Sequence, residues 1–573
     1  VPGKVDLKNV QVRGQDRNVT WAVDLPRVET QIALTELFKK TVHFDKLIAD
    51  SVKFKLTLKS EKEKEDWPVE PKSESNKIIL LKKERWKLLF SKINIHNIEK
   101  LQVQDSMVKG NGKISGSFFL WPGIEAKVKN AALSIESGSV FILDHHLEDK
   151  RVIDHLKLDA LVDLDQFHPY QVSGKEVLQY LNLTSSFSGD VQGVGLLNQC
   201  LYKTPHVRFT HGTGSLNGAV SIKQGRFAYP THFKLDSQKI EIDAYQLNVS
   251  GSGAVEGSVS RLNGQGSFGA LQVSLKQFMI AHAGSNARLF RGKHFRFRVE
   301  TNDLDLRSPF ENLWFNLKIP TSRFSNLNFL NFLLKGQTPG VEVQNGSGNI
   351  AVHLNAQLGS TVRKKSRPAT GSIEINLNKS QTKLKNYIVQ CQLKSRFNVK
   401  PIDLNSSVAE VSSADLSISD LNWYLMNGTH NESEPKAWWM NVNFHASTLV
   451  WHPKFEIFGH LNFYTKDNFP IIDYLKTKKK LSDVSTLFLK MREIKGSIDY
   501  GMDYSGWWLD SIEVRSNSKK VKGFLSKEGH FTQGALKLSS GVLSVGIFMY
   551  RDSTQVKLFP SDNWIFEKQK FLE

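Results

Sequence analysis

The stretch Leu313-Trp314-Phe315-Asn316-Leu317-Lys318-Ile319 sets the fold class. Leu313, Phe315, Leu317 and Ile319 take every second position, with Trp314, Asn316 and Lys318 between them. In an extended chain, successive side chains point to opposite faces, so this spacing gives one apolar face and one wetter face. A helix would need apolar residues three and four apart to do the same. The stretch reads as a half-buried β-strand.

The pattern recurs in both directions along the chain. Val52, Phe54, Leu56 and Leu58 alternate with Lys53, Lys55 and Thr57. Phe295, Phe297 and Val299 alternate with His294, Arg296 and Arg298. Ile373, Ile375 and Leu377 alternate with Glu374 and Asn376, and Val556 and Leu558 flank Lys557. Lys109-Gly110-Asn111-Gly112 and Gly251-Ser252-Gly253 read as turns between such runs. Helical signals are short: residues 35–39, 174–181, 325–335 and 470–476. Ser325 suits an N-cap and Pro470 a first turn. These segments read as plugs or edge covers on a sheet. Residues 59–77, 363–371 and 427–436 are polar, charged or proline-containing and read as loops.

The 573 residues include 76 Lys+Arg against 57 Asp+Glu, a formal charge of +19. That balance favours an anionic surface as partner: nucleic acid, phospholipid headgroups or lipopolysaccharide. The charge is spread along the chain, and no nucleic-acid-binding module is recognisable, so nucleic acid is not expected. Hydrophobic residues at 40% exclude wholesale disorder. Two cysteines, Cys200 and Cys391, exclude a disulfide framework and leave one bridge or two free thiols open. No run approaches the ~18–20 apolar residues of a membrane helix. The opening at Val1, without Met, points to an upstream segment that has been removed.

Catalytic signatures are missing. The densest group of metal-type side chains is Asp144-His145-His146-Leu147-Glu148-Asp149, with Asp154 and His155 nearby. Its ligand types suit Zn²⁺ or Mn²⁺, and a hydrolase centred on His145, His146 and Asp149 is one rival reading. Its setting at the end of a strand-like run favours a solvated loop. Gly264-Gln265-Gly266-Ser267-Phe268-Gly269 matches a dinucleotide fingerprint in spacing only, because no helix follows it. No cofactor is expected and the chain is not expected to be an enzyme. Trp438-Trp439 and Trp507-Trp508 should each place one ring on either face of a strand. Residues 476–480, rich in lysine, suit a solvated helix end or anionic headgroups.

The first 58 residues carry a family resemblance. Val5-Asp6-Leu7-Lys8-Asn9-Val10-Gln11-Val12 is followed by Val23-Asp24-Leu25-Pro26 and then by Thr35-Glu36-Leu37-Phe38-Lys39. Val42-His43-Phe44-Asp45-Lys46-Leu47-Ile48 then leads into the run from Val52. This order of strand, strand, short helix and strand resembles the opening module of AsmA-like proteins. Residues 455–475, a strand leading into Pro470-Ile471-Ile472-Asp473-Tyr474-Leu475, resemble their C-terminal part, and residues 325–334 echo the theme.

The resemblance implies a mainly β fold: an elongated, curved antiparallel sheet folded lengthwise into an apolar groove, a β-taco, with a few short helices. It implies a periplasmic protein of a Gram-negative bacterium, held to the inner membrane by an anchor ahead of Val1. Phospholipid or another membrane lipid would be its cargo, with envelope proteins at the groove ends and outer-membrane integrity as the outcome. The expected organisation is an N-terminal module at 1–58, a charged loop at 59–77, a β-groove region at 78–454, and a C-terminal β region at 455–573 with a short helix at 470–476. The alternating apolar sets named above are the expected groove lining. The rival from another class is a structural or adhesive β-protein, a solenoid or sandwich that binds glycan or protein and buries its apolar faces against each other.

Overall fold

The structure is a computed structural model. It describes residues 2–15, 19–59, 85–122, 124–144, 147–169, 172, 174–193, 198, 207–244, 247–261, 267–282, 288–302, 304–307, 313–324, 327, 331, 341–358, 369–384, 387–403, 408–425, 438–450, 456–470, 472, 489–503, 505–528, 531–551 and 553–572. The chain is mainly β, with 28 strands among the described residues in one hydrogen-bonded sheet. It divides into two compact units.

The first unit comprises Val1–Phe278 and Phe297–Trp314. Its strands are β1 (Pro2–Gln15), β2 (Val19–Ala33), β3 (Thr41–Ala49), β4 (Val52–Leu58), β5 (Lys87–Ile95), β6 (Ile98–Val103) and β7 (Ser106–Trp121). They continue with β8 (Glu125–Asp144), β9 (Leu147–Phe167), β10 (Leu181–Val191), β11 (Val207–Lys223), β12 (Arg226–Ala244) and β13 (Leu247–Arg261). β14 (Ser267–His282), β15 (Arg288–Thr301) and β16 (Leu313–Phe324) contribute residues to both units. The second unit holds β17 (Val341–Leu358), β18 (Ala369–Leu384), β19 (Tyr387–Asp403), β20 (Val408–Leu425), β21 (Trp439–Val450) and β22 (Glu456–Asp467). It ends with β23 (Arg492–Met502), β24 (Gly506–Arg515), β25 (Lys519–Glu528), β26 (Phe531–Ser540), β27 (Leu543–Tyr550), β28 (Ser553–Leu558) and the helix α1 (Trp564–Leu572). Leu34–Lys39 and Gly174–Tyr180 form 3-10 turns where short helices were expected.

Two parallel pairings, β3 with β5 and β4 with β6, interrupt an otherwise antiparallel first unit. The pairings β2–β3–β5–β7–β6–β4–β2 close a circuit of six strands. The register shows how it closes. β1 occupies one edge of β2 along its whole length, so β3 and β4 share the other edge end to end. β5 and β6 likewise share one edge of β7, whose other edge pairs with β8. The circuit is therefore a seam of two interrupted strands, broken at residues 50–51 and 96–97. Ala49, Val52, Ile98 and Met107 are buried around it.

Those breaks belong to a longer line of irregularities. It passes through the register shifts of β7 on β8 at Asn111/Gly112, of β8 on β9 at Ile135/Gly138, and of β10 on β9 at Ser188/Asp190. It continues through Thr213/Gly214 on β11 and Ser237/Ile240 on β12. Each bulge bends its strand, so a line of bulges is a bend line in the sheet. Here the glycine-rich stretches correct the sequence reading. Lys109-Gly110-Asn111-Gly112 and Gly251-Ser252-Gly253 lie inside β7 and β13 and form no turn. They stand where neighbouring backbones approach closely: a Cβ on Gly110 would meet Gly138 Cα at 2.6 Å. In the second unit, Ala446 and Ser511 take left-handed backbone angles at comparable shifts in β21 and β24.

A second device recurs at strand starts. The Asn331 amide donates to the carbonyl of Val343 and accepts from its N–H, both at 2.6 Å. Asn198 does the same to Phe209 at 2.9 and 2.7 Å. Asn468 donates to Leu489 O and accepts from Met491 N–H, each at 2.9 Å. A primary amide carries both a donor and an acceptor, so it can stand in for one residue of a missing neighbouring strand. At the end of the second unit, Trp564 of α1 is buried on Gly546 and joins Phe524, Ala535 and Phe548 in a small core.

Candidate lipid-binding face

The alternation of single strands becomes continuous rows once the strands pair. In the first unit, Val12, Val23, Phe54, Leu101, Val108, Val140, Ile153 and Val191 are successive cross-strand partners. They run through β1, β2, β4, β6, β7, β8, β9 and β10. A second row runs Leu7, Val28, Ala49, Ile95, Ile114, Leu133 and Ala160. The two rows lie on either side of the bulge line. Val12 is 44% exposed, and Val23, Phe54, Leu101 and Val108 are half-buried.

The second unit carries a longer row. Ile350, Ile375, Ser395, Leu416, Val442, Phe463, Gly496, Val514, Val521, Leu538, Val545 and Leu558 partner in turn from β17 to β28. Ser395 and Gly496 are its two gaps, and the Phe463 ring lies over Gly496. Ile350, Ile375, Leu416, Phe463, Val514, Val521 and Val545 are half-buried. Phe548 and Gly546, which α1 covers, alternate with Val545 and Ile547 along β27. α1 therefore sits on the face opposite this row, in which Ser395, Val442 and Leu538 are buried.

The expected lining residues fall into three groups. Phe54, Ile375 and Leu558 belong to the rows just described, and Leu56 and Ile373 lie beside them on β4 and β18, half-buried. Val52, Phe295, Ile319 and Leu377 are buried. Leu377 packs with Phe324, Leu327 and Val343 in a core, and Ile350 and Ile375, the first two members of the long row, pack against that core as well. Phe297, Val299, Leu313, Phe315 and Leu317 are half-buried on β15 and β16. Leu58 ends β4. Val556 and Leu558 are 66% and 67% exposed on β28, which among the described residues pairs only with β27. Sequence reading missed most members of the rows, among them Leu101, Leu416 and Phe463. Their short alternating runs are visible in the sequence, but their partners are not.

Among the described residues, no group of three or more His, Cys, Asp or Glu could hold a metal ion. His145 and His146 lie outside the described residues. Asp154 accepts from Ser139 at 2.9 Å and from Arg151 at 3.0 Å, and His155 Nδ1 lies 2.9 Å from Asp190. Cys391 is a free thiol 3.1 Å from Ser380 Oγ, and Cys200 lies outside the described residues. Trp439 stands edge-on to Tyr464, while Trp438 is buried and donates to Asp467 O at 3.0 Å. Asp305 is a buried carboxylate, 5% exposed. Arg307 hydrogen-bonds it at 2.6 Å and holds its pKa down to about 2, with Arg226 adding at 3.5 Å. Arg307 also reaches Glu176 and Gln179 on the second 3-10 turn. No helix among the described residues is long and apolar enough to cross a membrane. No family model, no curated protein and no solved structure matches the chain.

Proposed function

We propose that this chain binds lipid along its apolar face and shields acyl chains from water, as a conduit of the AsmA-like kind. The observation that carries the reading is the row from Ile350 to Leu558, in register over the strands of the second unit yet only half-buried along most of its length. A closed sandwich would bury such a row. Each buried CH₂ is worth about 0.8 kcal/mol, so a chain of ~16 carbons has ~12 kcal/mol at stake outside a membrane. A row of like residues from strand to strand keeps that burial nearly constant, and lipid can slide along it. The bulge line supports a sheet folded lengthwise, because bending every strand at the same level turns a flat sheet into a trough.

On this reading the protein resides in the periplasm of a Gram-negative bacterium, tethered to the inner membrane. It moves phospholipid or another membrane lipid toward the outer membrane and works with envelope proteins. It performs no catalysis. Phe38, 92% exposed on the first 3-10 turn beside Lys39 and Lys40, has the amphipathic chemistry of a contact with anionic headgroups. The test is extraction of the purified protein into organic solvent followed by mass spectrometry. Retained phospholipid supports the reading. A lipid-free protein that takes up no fluorescent phospholipid overturns it in favour of a structural or adhesive role.

A further inference from the structure

The wetter face of the second unit carries a cavity of about 970 Å³ that crosses β18 to β24. Two rows of polar side chains form its walls. One includes Lys394, Ser417, Asn441, Tyr464 and Lys495, each the cross-strand partner of the next. The other includes Arg396, Asp415, Asn443, Asn462 and Ser497, paired in the same way. The backbone of Leu416, Val442 and Phe463 makes the floor, with their side chains on the apolar face. At ~4.8 Å per strand, the trough is about 29 Å long.

Three features narrow the ligand. Every strand beneath the trough is paired on both edges, so no peptide can add to it as a further strand. Lys394, Arg396, Lys495 and Arg515 face Glu374, Asp415 and Glu513, and Arg396–Glu374 and Arg515–Glu513 pair at 3.2 Å. So balanced a surface favours neither a polyanion nor a polycation. What remains is planar hydrogen-bonding groups in series. The side-chain amides of Asn376 and Asn462 bond to no other described residue, and the buried Asn443 Oδ1 has no partner among them. Amides and carboxylates suit neighbouring hydroxyls, which both donate and accept. Tyr464, 36% exposed, stands edge-on to Trp439 at 4.8 Å and carries the Lys495 ammonium over its ring at 5.2 Å, so a sugar that rests its apolar side on this ring takes the place of that ammonium.

We propose that this trough binds an extended, neutral glycan chain. The inference does not rest on the lipid reading, since it concerns the opposite face. Calorimetric titration of the full chain with chitohexaose and cellohexaose, both extended ribbons, is the test, with chitobiose and heparin as comparators. At least one hexasaccharide should bind, with the disaccharide weaker on the order of ten-fold or more. Asn462→Leu and Tyr464→Ala should each weaken it by about ten-fold while leaving the melting temperature and lipid retention unchanged. Asn462→Leu alone decides the matter if Tyr464→Ala does not fold. Absence of hexasaccharide binding, binding indifferent to Asn462→Leu, or a preference for heparin would each overturn the proposal.

Discussion

Asp305 shows how one residue can tie a fold together. Its carboxylate is buried and receives Arg307 and Arg226, and Arg307 continues to Glu176. The ordinary value for such a carboxyl is 3.8, and here it falls to about 2. A depressed carboxylate pKa adds stability that is complete above the unfolded value and is lost as pH falls through the folded one. The contribution is roughly 2 kcal/mol at neutral pH. Urea unfolding should show the wild type losing that amount between pH 4 and pH 2, whereas Asp305→Asn is weaker at pH 7 by about as much and flatter over the same interval. Equal slopes for the two proteins would mean the ion pair contributes nothing. At the same scale, Asn331→Leu removes both hydrogen bonds that the amide makes to the backbone of buried Val343. The expected loss is about 2–4 kcal/mol, measured by chemical denaturation. Asn331→Asp retains the acceptor and should lose less.

At the scale of the element, the alternation of apolar and polar residues was legible and gave the strands correctly. Leu313–Ile319 falls in β16 and Ile373–Leu377 in β18. The bulges were not legible, because a bulge and a turn call for the same residue. Glycine at 110, 112, 251 and 253 signals a backbone that must come close to another, and only the pairing shows that the partner is a neighbouring strand rather than the chain's own return. The parallel pairing of β3 with β5 escaped for a related reason: nothing local to Thr41–Ala49 specifies which strand lies beside it. The bend line makes a prediction of its own. Gly110→Val would press a side chain into Gly138 and Ser137, both backbone contacts that cannot swing aside. Overpacking of this kind costs about 1–3 kcal/mol or more. Thermal unfolding should show that loss for Gly110→Val and almost none for Val542→Thr, at a hairpin position 92% exposed.

At the scale of the whole molecule, the proposed lipid binding draws on the net charge of +19 together with the half-buried row of the second unit, which would suit an amphiphile with an anionic head. Charge and alternation were readable from the sequence. The placement of Phe54, Ile375 and Leu558 in rows, and the enclosure of Leu377 in a core, depend on long-range pairing that no local signal encodes. The central claim is that the rows are a surface for acyl chains. It is tested most directly by measuring lipid bound to the purified protein, by native mass spectrometry and by extraction, for the wild type and for Phe463→Asp. An ionised carboxylate in the middle of the row costs several kcal/mol against an acyl chain, while its half-buried position leaves it room to reach water in the lipid-free protein. The account predicts phospholipid on the wild type and a loss on the order of ten-fold or more in a folded Phe463→Asp. A wild type that carries no lipid, or a variant that keeps it in full, would contradict it.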